Sequence, residues 1–342
     1  MAYLKEADHM LANMALIITS ISAPNRTLSI YAQACRERNI NFIVIGDMSS
    51  PPNFSLEGCD FWSMLRQADL PFRLAKLIPE RHYARKNLGY MIAIHSDVEI
   101  IIETDDDNLP LESFWTKRKL IQNGNLLTET GWVNVYSYFT DGFIWPRGFP
   151  LELVKQEHLP LSVFPESEVI CPIQQGLANE NPDIDAIFRL TAKLPFSFEK
   201  RARIILGKNS WCPFNSQNTT WFKQAFPLLY LPSYCSFRMT DIWRSFVAQR
   251  ICWANDWSLL FHDPTVWQER NEHDLMKDFE EEIPGYLNNR KLCAILQDLD
   301  IYPGKKSLPD SMITCYRSLV GLGFIGEQEL QLLNAWLEVV VP

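Results

Sequence analysis

The run Glu103-Thr104-Asp105-Asp106-Asp107-Asn108 places three consecutive carboxylates directly after an apolar stretch. Adjacent carboxylates repel one another and suit neither a strand nor a helix interior, so a cation is expected to balance them. Mg²⁺ or Mn²⁺ meets that need, because each takes oxygen ligands, accepts one or two protein carboxylates and completes its shell with water and substrate phosphates. Asp105 and Asp107 share one side of an extended chain, whereas a turn would swing Asp106 toward the ligand instead. A solvated acidic turn is the plain alternative. Upstream, Arg81-His82-Tyr83-Ala84-Arg85-Lys86-Asn87 gathers cations in an acidic protein. Forked arginine contacts and a helix start suit a diphosphate, with a solvated helix start as the alternative. Asp47, in Gly46-Asp47, is placed either to accept from a nucleobase N–H or to serve an ordinary turn.

Further along, Phe214-Asn215-Ser216-Gln217-Asn218-Thr219 is a dense polar run between Trp211 and Trp221, a lining suited to a hydroxyl-rich ligand or a loop of Asx-turns. Asp241, in Arg238-Met239-Thr240-Asp241, sits at an expected helix start, where it would either cap the helix or take the proton of an attacking hydroxyl. His262, in Leu260-Phe261-His262-Asp263-Pro264, is a candidate late metal ligand beside a structural reading, and His273 is the other candidate.

The elements that must position these residues read as an α/β protein. Ala15–Thr19 and Asn41–Ile45 form short buried apolar runs with a helical pattern over 26–38 between them. A helix over 83–94 and an apolar strand over 98–103 follow, and the alternation implies a mainly parallel Rossmann-like sheet flanked by helices. Such sheets bind ligands at the carboxyl ends of their strands. After about residue 130 the rhythm loosens, with short strands expected at 132–136, 186–190, 228–231 and 257–261 and a helix over 240–253. Beyond that, helices are expected over 278–282, 288–298 and 326–340, around Pro284, Pro303 and Pro309. The division is residues 1–275 as the sheet domain and 276–342 as a helical C-terminal region.

Composition bounds the class. The chain has 342 residues, 47% apolar and 21% charged, enough to bury a large core and too apolar for a disordered chain. A net charge of −9 argues against broad binding to nucleic acid. Eight scattered cysteines show no zinc spacing and read as reduced, packed thiols. No run is long and apolar enough to span a bilayer and the start lacks a signal-peptide pattern, so the expectation is a cytoplasmic protein, with peripheral contact at the inner membrane face left open.

Taken in order, His82-Tyr83-Ala84-Arg85-Lys86-Asn87-Leu88-Gly89-Tyr90, the Asp triplet, Trp145-Pro146-Arg147-Gly148, Ile173-Gln174-Gln175-Gly176, Phe214–Thr219, and Thr240-Asp241 with Gln249-Arg250 resemble the STELLO family. That family consists of GT-A-like proteins, best known from plants as Golgi membrane proteins associated with cellulose synthesis, and the resemblance covers roughly residues 15 to 290. It implies a nucleotide-diphospho-sugar transferase fold in which Mn²⁺ or Mg²⁺ bridges the donor diphosphate to the triplet. By the wider GT-A pattern, Asp105 and Asp107 are the metal and ribose-side pair, with Asp106 beside them, and His262 is the late metal ligand. Thr19, Asp47, Arg85 and Asn87 lie toward the nucleotide, and Asp241 is the base of an inverting transfer. The expected partners are a nucleotide-diphosphate sugar, a UDP-sugar first, and a glycan or lipid-linked saccharide acceptor. The rival readings are a sugar-nucleotide mutase or nucleotidyltransferase, for which Thr19–Arg26 lacks the glycine-rich loop, and a non-catalytic scaffold in polysaccharide synthesis.

Overall fold

A computed structural model describes residues 13–269 and 274–340. The first two strands are buried on both faces, which is why they read as continuous apolar runs: β1 (Met14–Thr19) and β2 (Asn41–Ile45), with the short, partly exposed β3 (Asp60–Trp62) at the sheet edge. Between β1 and β2 lies α1 (Arg26–Arg38), whose start is capped by Asn25 accepting from the Leu28 N–H and whose end is Asn39 at φ 54°. Its buried Leu28, Tyr31, Ala32 and Cys35 recur at helical spacing and face the sheet. Short helices α2 (Met64–Ala68) and α3 (Arg73–Leu77) lead to a 3₁₀ turn at Tyr83–Arg85, then α4 (Lys86–His95) and β4 (Ile100–Thr104). Gly89 lets α4 lie close on the sheet, since a Cβ there would meet Ile17 at 2.6 Å and Ile45 at 2.9 Å.

The remaining strands are β5 (Asn108–Pro110), β6 (Ile121–Leu127), β7 (Gly131–Trp132), β8 (Glu166–Ile170), β9 (Ile173–Asn179), β10 (Ile204–Leu206), β11 (Ser210–Trp211), β12 (Asn218–Phe222) and β13 (Leu259–Gln268). The remaining helices are α5 (Ala186–Thr191), α6 (Thr240–Ala254), α7 (Leu275–Asp298), α8 (Leu308–Gly321) and α9 (Glu329–Val340). The main sheet runs β3-β2-β1-β4-β12-β9-β13-β10-β6-β8, with β5 on β13, and β7 pairs β11 separately. Strands β3, β2, β1 and β4 are parallel; β12 runs against β4 and β9, and β9 and β13 are again parallel. The sheet is thus mixed but mostly parallel, with helices against it, as the strand–helix rhythm predicts. The connection reverses direction across the sheet between β1 and β4, the crevice where open α/β sheets bind ligands.

Several local expectations change. Residues 186–190 form helix α5 rather than a strand, because Asp185 caps them by accepting from the Phe188 N–H at 2.8 Å. Residues 228–231 end a 3₁₀ helix and leave it, and of 132–136 only Trp132 is in a strand. The strand expected at 257–261 runs from Leu259 to Gln268 with an irregularity between His262 and Val266, which accommodates Pro264. The helices expected over 278–282 and 288–298 are one helix running through Pro284, and Pro309 lies in the first turn of α8, where its missing N–H costs nothing.

The C-terminal helices share the core of the sheet. One hydrophobic cluster joins Ile17 and Ile101 of the sheet to Leu292, Tyr316, Leu333 and Trp336.

Candidate functional site

Glu103, the residue before the turn of β4, is wholly buried and fully spent on structure. Its carboxylate accepts from Arg244 at 2.8 and 3.0 Å, from Trp221 Nε1 at 2.8 Å and from the Tyr90 hydroxyl. The guanidinium of Arg244 also lies 5.0 Å over the Trp221 ring. This clamp fixes α6 against the end of β4, one helical turn from Asp241.

The triplet then fans out to three different elements. Asp105 Oδ1 accepts from Lys86 Nζ at 3.1 Å, and the same ammonium donates to the Thr104 carbonyl at 3.1 Å. Burial pushes the Asp105 carboxyl above its ordinary value, against the pull of Lys86. Asp106 Oδ2 accepts from the Ser20 hydroxyl at the end of β1, bridging the β1/β4 crevice, and its carbonyl accepts from Asn25 Nδ2 at 2.9 Å. Asp107 accepts from Gln268 Nε2 at 3.2 and 3.3 Å, because β5 pairs Asn108 with Gln268 of β13.

A cavity of about 300 Å³ opens at the carboxyl ends of β1 and β2, beside Asp106. It is lined by Thr19, Ser20, Asp47, Arg81 and Arg85 and by the aromatic residues His82, Tyr83 and Phe237, of which Tyr83 and Phe237 lie 4.9 Å apart. Thr19, Asp47, Arg85 and Asp106 are therefore brought together as expected, but two of them do different work. Both Asp47 oxygens are taken by backbone N–H groups, Oδ1 by Met48 at 2.7 Å and Arg81 at 2.9 Å, Oδ2 by His82 at 2.9 Å. Arg85 is buried, and its donors go to Gln67 Oε1 at 2.6 and 2.9 Å and to the Ile78 and Pro79 carbonyls at 3.3 Å. Asn87 points away from the cavity altogether: its amide pairs with both backbone groups of Leu231 at 2.8 and 2.9 Å. Asn87 is a brace for the 231 loop, not a nucleotide contact.

Asp241 is held from several sides. Arg147 Nη2 donates to both its oxygens at 3.0 and 3.1 Å while also pairing with Asp183, and Ser216 donates its N–H at 3.0 Å. Although burial opposes it, the Arg147 guanidinium holds the Asp241 carboxyl well below the usual range. Asp241 does not cap α6, whose N-terminus has no side-chain cap. Gly148, at φ 86°, lets the Arg147 loop press on α6, since a Cβ there would meet Ile242 at 2.5 Å. The polar run 215–219 is buried and bonded inward: Gln175 Oε1 accepts from Asn215 N and Thr219 Oγ1, and Asn218 donates to Leu177 and Thr265. It reaches Asp241 through Ser216 rather than lining a ligand surface.

His262 is not with the triplet. It lies six residues before Gln268 along β13, roughly 20 Å at strand rise. Its neighbours are Arg118 and Arg203, and its Nδ1 is 3.0 Å from the Asp263 carbonyl. His273 lies outside the described residues. Among the described residues no three His, Cys, Asp or Glu side chains gather as a metal cluster. The oxygen donors of the turn nonetheless suit a hard ion: Asp105 Oδ2 and Asp106 Oδ1 accept from no described residue. A two-carboxylate site completed by phosphates and water fits Mg²⁺ or Mn²⁺, whereas a closed three-ligand site does not.

Sequence reasoning passed over Lys86, Glu103, Arg147 and Arg244 as individual residues. The available signal was Glu103 inside an apolar strand, since a buried carboxylate requires a cation partner.

The family model described as STELLO glycosyltransferases matches residues 238–341, from two residues before α6 to one residue beyond the described chain. Two relatives from Arabidopsis thaliana extend the likeness. Probable glycosyltransferase STELLO1 is 28% identical over 326 residues, covering 89% of this chain and 41% of its own length. Probable glycosyltransferase STELLO2 is 26% identical over 318 residues, covering 86% and 41%. The chain thus spans about two fifths of the length of these curated relatives. Among solved structures, a mycobacterial protein overlays with a TM-score of 0.43 at 9% identity, over 82% of this chain and 75% of that one.

Proposed function

We propose that this chain, which is similar to the STELLO glycosyltransferases, moves a sugar from a nucleoside-diphosphate donor, a UDP-sugar first, to a hydroxyl of a glycan or lipid-linked saccharide. The observation that carries the reading is the cavity at the carboxyl ends of β1 and β2, bounded by Asp106 of the turn that follows β4. The nucleoside occupies this cavity and its diphosphate extends over the turn Asp105–Asp107. Mg²⁺ or Mn²⁺, when bound there, neutralises charge on the departing diphosphate.

The chain's own residues supply the rest. Lys86 holds Asp105 in place and offsets its charge, and Ser20 fixes Asp106 across the crevice. The acceptor oxygen bonds to the anomeric carbon as that carbon's bond to the diphosphate oxygen breaks; the nucleoside diphosphate leaves with the electron pair. For the acceptor proton we assign Asp241 in an inverting transfer. Among the described residues its Oδ1 accepts only from Arg147, so a lone pair is left, and a hydroxyl acidified by bond formation needs only a weak base. In the free protein this carboxylate is nearly covered, so acceptor access requires Arg147 to shift.

The test is calorimetric and thermal-shift titration with UDP, GDP and their sugars, each with Mn²⁺, with Mg²⁺ and with chelator. Stabilisation by one nucleoside diphosphate, weakened in Asp106→Ala, is the expected result. Asp241→Asn is expected to keep nucleotide binding and lose transfer. A folded protein that binds no nucleotide overturns the reading, and an Asp241→Asn variant that transfers normally removes the base assignment.

A further inference from the structure

We propose that Arg81 is the residue that grips the oxygens of the bound nucleotide, and that Asp47 is a positioning residue acting through it; the inference rests on the nucleotide-binding reading of the cavity. Two arginines line that cavity. Arg85 is buried, and four of its five N–H donors are committed to Gln67 and to the Ile78 and Pro79 carbonyls. Arg81 is exposed, and among the described residues no group accepts from its guanidinium.

The backbone beneath Arg81 is built to present it. Arg81 sits at φ 55°, in the left-handed region that a non-glycine residue seldom occupies. Asp47 holds it there by accepting from the Arg81 N–H at 2.9 Å and from the next N–H, that of His82, at 2.9 Å. The clamp is tied in turn to both strand ends: the Asp47 N–H donates to Ser50 Oγ at 2.8 Å, and the Ser50 hydroxyl donates to the Ser20 carbonyl at 2.9 Å. A carboxylate at the end of the second strand would otherwise be free to bond a ribose or a base. Here it is spent on the turn, and the side chain delivered to that place is a cation with five donors. Its neighbour His82 adds no charge near neutrality, because burial lowers its pKa to about 4 and its Nδ1 accepts from the Ala84 N–H. Arg81 is therefore the free positive group opposite Asp106, suited to phosphate or to a base carbonyl.

The experiment is calorimetric titration of UDP and uridine, with GDP and guanosine alongside, into the wild type, Arg81→Gly, Arg81→Lys, Asp47→Asn and the double variant Arg81→Gly/Asp47→Asn. Arg81→Gly keeps a residue at ease in the left-handed region and so removes only the guanidinium. The Kd of the preferred diphosphate is expected to rise at least tenfold in Arg81→Gly and in Asp47→Asn, and to recover in part in Arg81→Lys. The double variant is expected to bind no more weakly than the weaker single one, because both changes remove the same contact. An unchanged nucleoside Kd in Arg81→Gly would place the contact on phosphate, and a matching loss would place it on the base; either supports the proposal. Binding by Arg81→Gly within twofold of the wild type overturns it, as do losses that multiply in the double variant. A wild type that binds neither diphosphate defeats the nucleotide reading itself, which the first titration shows before any variant is made.

Discussion

At the scale of single residues, the stability of this site turns on charges placed where water cannot reach them. Glu103 and Arg244 are both almost completely buried, and the two charges pair with each other. Removing one partner leaves an uncompensated interior charge, so Arg244→Ala is expected to cost about 3 to 5 kcal/mol, read as a fall in the urea midpoint. Arg244→Met with Glu103→Leu together should cost far less than the two single changes summed. Two histidines give the protein an acid limit. Burial and the nearby Arg118 and Arg203 lower the His262 pKa to about 3, and burial lowers that of His82 to about 4. Both folded values lie below the ordinary 6.5, so the unfolded chain takes up these protons first. The stability they carry is full above pH 6.5 and is lost as pH falls toward 4, at about 1.4 kcal/mol per pH unit for each histidine. Denaturant midpoints measured from pH 7 to pH 4 should show this slope, and His262→Leu should reduce it; an unchanged slope would mean that His262 is not buried neutral.

At the scale of elements, the C-terminal helices work as clamps on loops of the site. Glu329, at the start of α9, is buried and accepts from the Ser233 N–H at 2.9 Å, the Tyr234 N–H at 2.7 Å and the Tyr230 hydroxyl. Glu282 of α7 accepts from the Ala186 N–H at 2.7 Å and pairs with Arg238 at 2.8 Å, three residues before Asp241. Glu329→Ala strands three donors and is expected to cost about 2 to 4 kcal/mol in a chemical melt. It should also loosen the 230–234 loop, which hydrogen exchange at Ser233 and Tyr234 would report. A variant that exchanges there as slowly as the wild type would count against the clamp. The division at residue 275 is a change in sequence character, from sheet to helix, across a core that both parts share.

At the scale of the whole molecule, the acidic turn offers a metal ion too few ligands to hold it alone. Mn²⁺ is therefore expected to bind weakly to the free protein and more tightly once a nucleoside diphosphate is present, and by linkage the nucleotide must gain affinity for the protein by the same factor. Paired titrations measure both factors, and unequal values would mean that the two do not share a site. The sequence by itself determined the α/β class, the buried strands ending at Thr19, Ile45 and Glu103, and the acidic turn, because these depend on local runs of apolar residues and on carboxylates too close to be left unbalanced. It also marked the helix that carries Asp241. What it could not determine was where side chains at the same edge point. Asp47, Arg85 and Asn87 have the right types for a nucleotide, yet the Arg81 and His82 N–H groups, the Gln67 amide and the Leu231 backbone claim them, partners that lie between 18 and 144 residues away. His262 has a ligand's chemistry, but its strand register sets it beside arginines instead of the triplet. Only the tertiary structure decided these assignments, because long-range hydrogen bonds and strand register determine which polar groups remain free for a ligand.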